Sequence, residues 1–235
     1  MPQLIAMIII VVGAMIYMFQ TFGGTGDKIE GIAQKTSIIT EVNNIKNGLK
    51  LAARAGEITT KTTTPEGGGA AVVTASDLQG LAKLKYFAEQ INEQLLKNDA
   101  GAARTTIPNI YSAISFGGNS KNAVEGNGSM LIHLVANTDK QIPGIFVDLT
   151  RGGLKDNAGF LESQIANDLA GTAIIDRKAL ASTATTTPNA GSLRTSGSDP
   201  EKRTPIASTA GSDTDGMFTI YFQDFGSNEV VLKTN

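Results

Sequence analysis

The chain has 235 residues, a formal net charge of -2, one histidine, no cysteine and no tryptophan. The absence of cysteine excludes a disulfide framework, a thiolate nucleophile, an iron–sulfur cluster and a cysteine zinc site, and a single histidine excludes a multi-histidine metal site. Lys and Arg number 20 against 22 Asp and Glu, so charge gives no reason to expect nucleic-acid binding.

That charge is unevenly placed. Residues 1–23 carry none of it, and Leu4–Phe19 (LIAMIIIVVGAMIYMF) is a run of 16 apolar residues. With its short flanks it makes a helix of about 20 residues, roughly 30 Å long, which matches a bilayer's hydrocarbon core. Withdrawing such a run from water is worth on the order of 20 kcal/mol, at about 1.5–3 kcal/mol per large side chain. Three readings fit unequally. A signal peptide needs a basic n-region and a small-residue cleavage site, and neither is present. A membrane anchor fits the length, although the first charges are Asp27 and Lys28. The third reading is a helix that sits first in a membrane and later packs against copies of itself. The run begins almost at residue 1, which points to a basic leader removed or left out of the numbering.

Gly23, Gly24 and Gly26 follow, either as a linker or as a hinge within one long helix, at about 1 kcal/mol each relative to alanine. From Asp27 the helical period takes over. Ile29, Ile32, Ile39, Val42, Ile45, Leu49 and Ala52 form an apolar stripe, with Lys28, Glu30, Lys35, Glu41, Lys46 and Lys50 on other faces. The helix is expected to reach about Ala55 and stop at Gly56. Residues 1–23 and 24–55 together would make a helix of about 50 residues, roughly 75–80 Å.

Residues 57–75 are rich in threonine and glycine and read as an exposed loop. Ser76 is the expected N-cap of a second amphipathic helix through Leu78, Leu81, Leu84, Phe87 or Ala88, Ile91 and Leu95, ending near Asn98. Residues 107–116 and Met130–Val135 suggest an antiparallel hairpin with a long glycine- and asparagine-rich loop. Residues 141–150 are open between strand and short helix. Phe160, Leu161, Ile165 and Leu169 suit a third helix, and Ala173–Ile175 a short strand. Residues 181–215, poor in apolar residues, read as a long exposed loop or a disordered insertion. Met217–Phe222 alternates as a strand does, and Glu229–Lys233 reads as a closing strand.

No motif with catalytic chemistry stands out. His133, inside a strand, is read as half-exposed and structural, since no nucleophile or carboxylate can be tied to it. Asp213 and Asp215 in SDTDG match a fragment of a calcium loop, but the third oxygen ligand and the distal glutamate are missing, so the turn reads first as a loop cap. The threonine runs and the sequon Asn127-Gly-Ser129 read as plain loop sequence, with glycosylation as the alternative. The chain is therefore read as non-enzymatic and without a cofactor.

The uncharged N-terminal helix, its amphipathic continuation and the later strands together resemble a mature type IV pilin, closer to the type IVb branch. The segments that carry this are Glu41-Val-Asn-Asn-Ile-Lys-Asn-Gly-Leu49, which resembles that branch's helix ending and turn, Ile107-Pro108, Ile114-Ser-Phe-Gly-Gly118, Ile132-His-Leu134 and Phe218-Thr-Ile-Tyr-Phe222, together with a methionine at position 1. The resemblance implies an α+β fold: a very long N-terminal helix packed on an antiparallel sheet, with additional short helices in a pilin-like roll. Residues 1–23 would be the membrane and filament-core helix, 24–55 its amphipathic continuation, and 56–235 a globular head with exposed loops 57–75 and 181–215.

The function so implied is a structural subunit of a type IV pilus, a fimbrial filament serving adhesion, motility, DNA uptake or conjugation. It would lie in the bacterial cytoplasmic membrane before assembly and in an extracellular fibre afterwards. Its partners would be copies of itself, a prepilin peptidase, an assembly platform and a motor ATPase. Assembly contacts would come from Met1, Leu4, Ile5, Ile8, Val12, Gly13, Ala14 and Ile16, with Gly13 and Ala14 as a small-residue notch. Gly23, Gly24 and Gly26 would bend or stretch, and Met1 would be N-methylated. Two features depart from the family. Ile5 stands where major pilins usually carry glutamate, and no cysteine is available for the disulfide that usually closes the C-terminal region. Alternatives are a minor pilin or type II secretion pseudopilin, and a single-pass anchored binding protein.

Overall fold

The computed structural model describes residues 30–60, 75–96, 130–136, 139–179, 193–195, 203–205, 211–226 and 228–233. The apolar run, the glycine cluster 23–26 and residues 107–118 lie outside these. The fold is α+β: an N-terminal helix α1 (residues 30–55) packs with shorter helices against a four-stranded antiparallel sheet.

Helix α1 ends where glycine permits a left-handed residue. Gly56 has φ 76°, its N–H donates to Ala53 O at 3.1 Å, and Glu57 N–H donates to Ala52 O at 2.9 Å. This paired closure satisfies two carbonyls that a helix end otherwise orphans. The buried row of α1 is Gln34, Ile38, Val42, Ile45, Leu49 and Ala52. The expected stripe is thus corrected at its first turns: Ile32 is exposed and Ile39 only partly buried, while Ile38 and Gln34 point inward. Gly48, expected near a helix ending, sits mid-helix. A Cβ there would stand 2.4 Å from Phe87 Cδ1 and 2.7 Å from Tyr86 O, so only glycine lets α1 lie this close to the next helices.

The expected second helix is two helices, α2 (Leu78–Lys83) and α3 (Glu89–Leu96). Its cap is Asp77 rather than Ser76, with Oδ1 accepting from Gly80 N–H at 2.6 Å. The break comes at Lys85, which takes φ 61° while Tyr86 N–H donates to Leu81 O and Lys85 N–H to Ala82 O. The reward for breaking is burial of Phe87 against Gly48. Nor are the ends of segment 57–75 exposed. Ile58, Thr59 and Ala75 are buried, and Ile58 bridges Ala75.

The sheet contains β1 (Leu131–Val135), β2 (Gly144–Asp148) and β3 (Ala173–Asp176), with a fourth strand later in the chain. Residues 193–195 and 203–205 form a separate antiparallel pair, β4 and β5, within the stretch expected to be a loop. Strand β6 (Met217–Phe222) is central, giving the order β1-β2-β6-β3 with every pairing antiparallel. A short 3-10 helix (Gly152–Asn157) leads into α4 (Ala158–Leu169). Ile132, Leu134, Ile145, Val147, Phe218, Ile220 and Phe222 share one core with the α1 row and with Leu161, Ile165 and Leu169 of α4. Phe160 is not in that core and is exposed.

The alternation seen in β6 predicts one wet face, but both faces are dry. Leu131, His133, Val135, Phe146, Asp148, Thr219 and Tyr221 on the second face are all buried. Residues 229–233 do not form a strand. Val231 exchanges hydrogen bonds with Lys140 and Gln141, and Leu232 with Ile58 and Thr60, so this end laces two other segments together.

Candidate assembly surface

Every exposed position of α1 from Ile32 to Leu51 is uncharged: Ile32, Ala33, Thr36, Thr40, Asn44, Asn47 and Leu51. Steps of three and four make this one outward row. Two hydroxyls on it are turned inward, since Thr36 Oγ1 donates to Ile32 O at 2.9 Å and Thr40 Oγ1 to Thr36 O at 2.8 Å. The row therefore presents methyl groups and two amides. Lys35, Glu41, Lys46 and Lys50 lie on its flanks, half-buried.

The basic flank holds the C-terminal segment. Lys46 Nζ meets Asp224 Oδ2 at 2.7 Å, and Lys50 Nζ donates to Asp224 O at 2.7 Å. Arg54 donates to Glu229 Oε1 from Nε at 3.0 Å and Nη2 at 2.5 Å, and Gly226 N–H donates to Glu229 Oε2 at 2.8 Å. Beneath them Lys46 Nζ lies 4.7 Å from the centre of the Phe222 ring, itself stacked 6.5 Å from Phe225. Burial opposes ionisation of both carboxyls, but Lys46 and Lys50 at Asp224, and Gly226 N–H, Arg54 and Lys50 at Glu229, outweigh it. Both are held below the usual carboxylate range. The cysteine-free C-terminal region is thus fastened by ion pairs as well as by hydrogen bonds and ring packing, not by packing and hydrogen bonds alone.

A second carboxylate knot organises the acidic loop. Glu162, fully buried on α4, accepts from Arg177 Nε at 2.8 Å and from Gly216 N–H at 2.8 Å. Arg177 also donates to Ser163 Oγ and to the Asp213 carbonyl. Burial pushes the Glu162 carboxyl up, against the pull of those donors. Asp215 accepts from Ser212 and Met217 N–H, each at 2.9 Å. A guanidinium and backbone amides thus already engage the loop's acceptors, and among the described residues no cluster of three or more metal-ligating side chains occurs.

His133 departs from expectation by being fully buried. Neither ring nitrogen has a hydrogen-bond partner, and the ring stands edge-on to Phe146 at 5.8 Å. Burial lowers its pKa to about 4, with Asp148 pulling upward and Arg151 downward.

Of the residues expected in assembly, Met1, Leu4, Ile5, Ile8, Val12, Gly13, Ala14 and Ile16 lie outside the described residues, as do Gly23, Gly24 and Gly26. No helix among the described residues is long and apolar enough to cross a membrane. The sequence reading missed the C-terminal fastening. Its signal was present on one side only, as Lys46, Lys50 and Arg54 at four-residue steps. No family model, characterised protein or solved structure matches the chain.

Proposed function

We propose that the chain is a structural pilin subunit that polymerises through residues 1–55 into a type IVb-like filament. The observation that carries this reading is the uncharged outward row of α1 from Ile32 to Leu51, which lies in the same N-terminal region as the charge-free residues 1–23, with Asp27, Lys28 and Glu30 between the two. A helix exposed to water ordinarily carries charge on its outer face. A helix that exchanges lipid for neighbouring helices carries small, uncharged, self-satisfied side chains there instead. In this reading α1 continues the apolar segment as one helix of about 80 Å, the sheet and α4 form a pilin-like roll on it, and the ion-paired C-terminal segment takes the place of the family's disulfide. The chain leaves the cytoplasmic membrane through an assembly platform and motor ATPase.

Ile5 favours a variant of this reading, a minor pilin or pseudopilin, because the glutamate that pairs with a neighbour's N-terminal amine is absent. Negative-stain microscopy of sheared cell-surface material, with the band identified by mass spectrometry, tests both. Thin filaments made chiefly of this chain with a processed, N-methylated Met1 support the major pilin. Filaments that contain it only in trace amounts support the variant. An unmodified chain found only in the membrane fraction, with no filaments, overturns both and leaves an anchored binding protein.

A further inference from the structure

Four large apolar side chains are exposed among the described residues: Ile32 at 57%, Leu51 at 56%, Phe160 at 50% and Leu232 at 41%. They fall at two places, Leu51 and Leu232 toward the C-terminal end of α1 and Ile32 and Phe160 at its N-terminal end. Leu232 belongs to the far end of α1, with Cδ1 3.2 Å from where a Gly56 Cβ would stand. Ile32 and Phe160 belong to the near end, where the Phe160 ring lies 3.2 Å from the corresponding position at Gly31. The rim of this near corner is polar and carries both signs: Lys35 pairs with Asp168 at 2.7 Å, Asn157 donates to Gln34 at 3.4 Å, and Glu30, Lys155 and Asp156 are exposed. Exposed Phe and Ile side chains with a polar rim suit the boundary between lipid headgroups and acyl chains.

The chain itself says what lies nearby. Gly31 lies only nine residue steps beyond Phe22, which ends the apolar stretch. They span about 14 Å as helix and at most about 32 Å fully extended. The far end of α1 stands a further 37 Å or so along the helix axis, at about 1.5 Å per residue from Gly31 to Gly56.

We propose that the Ile32–Phe160 corner rests on the membrane surface before assembly and fixes the tilt of the head against the bilayer. This rests on the reading of residues 1–22 as a membrane segment. The corner would let go of lipid when the subunit is extracted.

The absence of tryptophan makes single-tryptophan reporters clean. The full chain is reconstituted in phosphatidylethanolamine–phosphatidylglycerol vesicles whose acyl chains are brominated at shallow or at deep positions. Phe19→Trp reports on the segment, Phe160→Trp and Ile32→Trp on the corner, and Leu232→Trp on the far end. Circular dichroism identifies any variant that fails to fold, and the second corner variant then carries the test. The expectation is quenching of the Phe19→Trp reporter, shallow quenching at the corner at least about twofold stronger than at Leu232→Trp, and no deep quenching there. Quenching of the Phe19→Trp reporter without quenching at the corner overturns the corner contact and leaves the membrane reading standing. No quenching at Phe19→Trp overturns both. A blue shift at the corner that grows with protein-to-lipid ratio, without bromine quenching, means that a second copy covers the corner, and it also overturns the proposal.

Discussion

The C-terminal fastening and the second face of the sheet handle polar side chains in opposite ways. At the fastening, Asp224 and Glu229 each meet two cationic side chains, and Glu229 also takes a backbone N–H. Partners outweigh burial, so both carboxyls ionise more easily than usual. On the sheet face, His133 and Thr219 lie in one register row on either side of Phe146, and neither His133 nitrogen nor Thr219 Oγ1 has a partner. Burial there is unopposed by hydrogen bonds, and the histidine resists its charge. The contrast teaches that the same kind of burial stabilises or strains according to whether the protein supplies counter-groups. The first region should therefore respond to salt and to loss of a partner, and the second to acid.

The largest expected effect tests the second half of that statement. His133 binds a proton below about pH 4 in the folded protein, against an ordinary value of 6.5. Between those values the unfolded chain holds more protons, so stability is complete above about pH 6.5 and falls as pH drops toward 4. The loss is on the order of 3 kcal/mol at the lower end. Urea denaturation from pH 7 to 4 should show that fall in the native protein. In His133→Phe the His133 contribution should vanish, with stability at pH 7 equal or higher because no orphaned nitrogen remains. An unchanged acid profile in the variant would place the acid sensitivity elsewhere.

Glu229→Gln comes next. It removes the charge that Arg54 and Lys50 meet and weakens the acceptor for Gly226 N–H, and should cost about 2 kcal/mol, at the scale of hydrogen bonds to charged groups. Protection of the amides of Val231 and Leu232 against hydrogen exchange should drop with it, since these residues lace the segment to Gln141 and Ile58. Lys46→Ala sharpens the comparison. Asp224 is about half exposed, so the cost should be below about 1 kcal/mol and should shrink further in 1 M salt, whereas the His133 effect should hardly change with salt. Thr40→Lys belongs to neither region. It should move folding stability by less than about 0.5 kcal/mol. Yet it should abolish filaments in the microscopy assay if the outward row of α1 is an assembly surface. Filaments of normal abundance from Thr40→Lys would remove the row from the proposed function.

Local signals were legible where local physics decides. Gly56 ended α1 because glycine alone accepts φ 76° without strain. Helix α4, β3 and β6 followed from periodicity. The break at Lys85 was not legible, because a lysine at φ 61° carries no sequence mark and is held there by what Phe87 gains against Gly48. The burial of His133 was hidden for a related reason: alternation tells which residues share a face, but not whether anything covers it. The buried face of α1 was half legible. The periodicity placed an apolar stripe near the correct angle, but its first turns slipped, because Gln34 and Gly31 rather than Ile32 face the globule.

By itself the sequence determined the distribution of charge, the helical and strand periods, and the stop at Gly56. All of these depend on residues within a turn or two of each other. The tertiary structure alone decided that both sheet faces are dry, that α2 and α3 are separate, and that Lys46, Lys50 and Arg54 meet Asp224 and Glu229. The last pairing joins positions about 175 residues apart, and separation on that scale leaves no local pattern, because loop closure grows only slowly with length and does not restrict which distant residues meet.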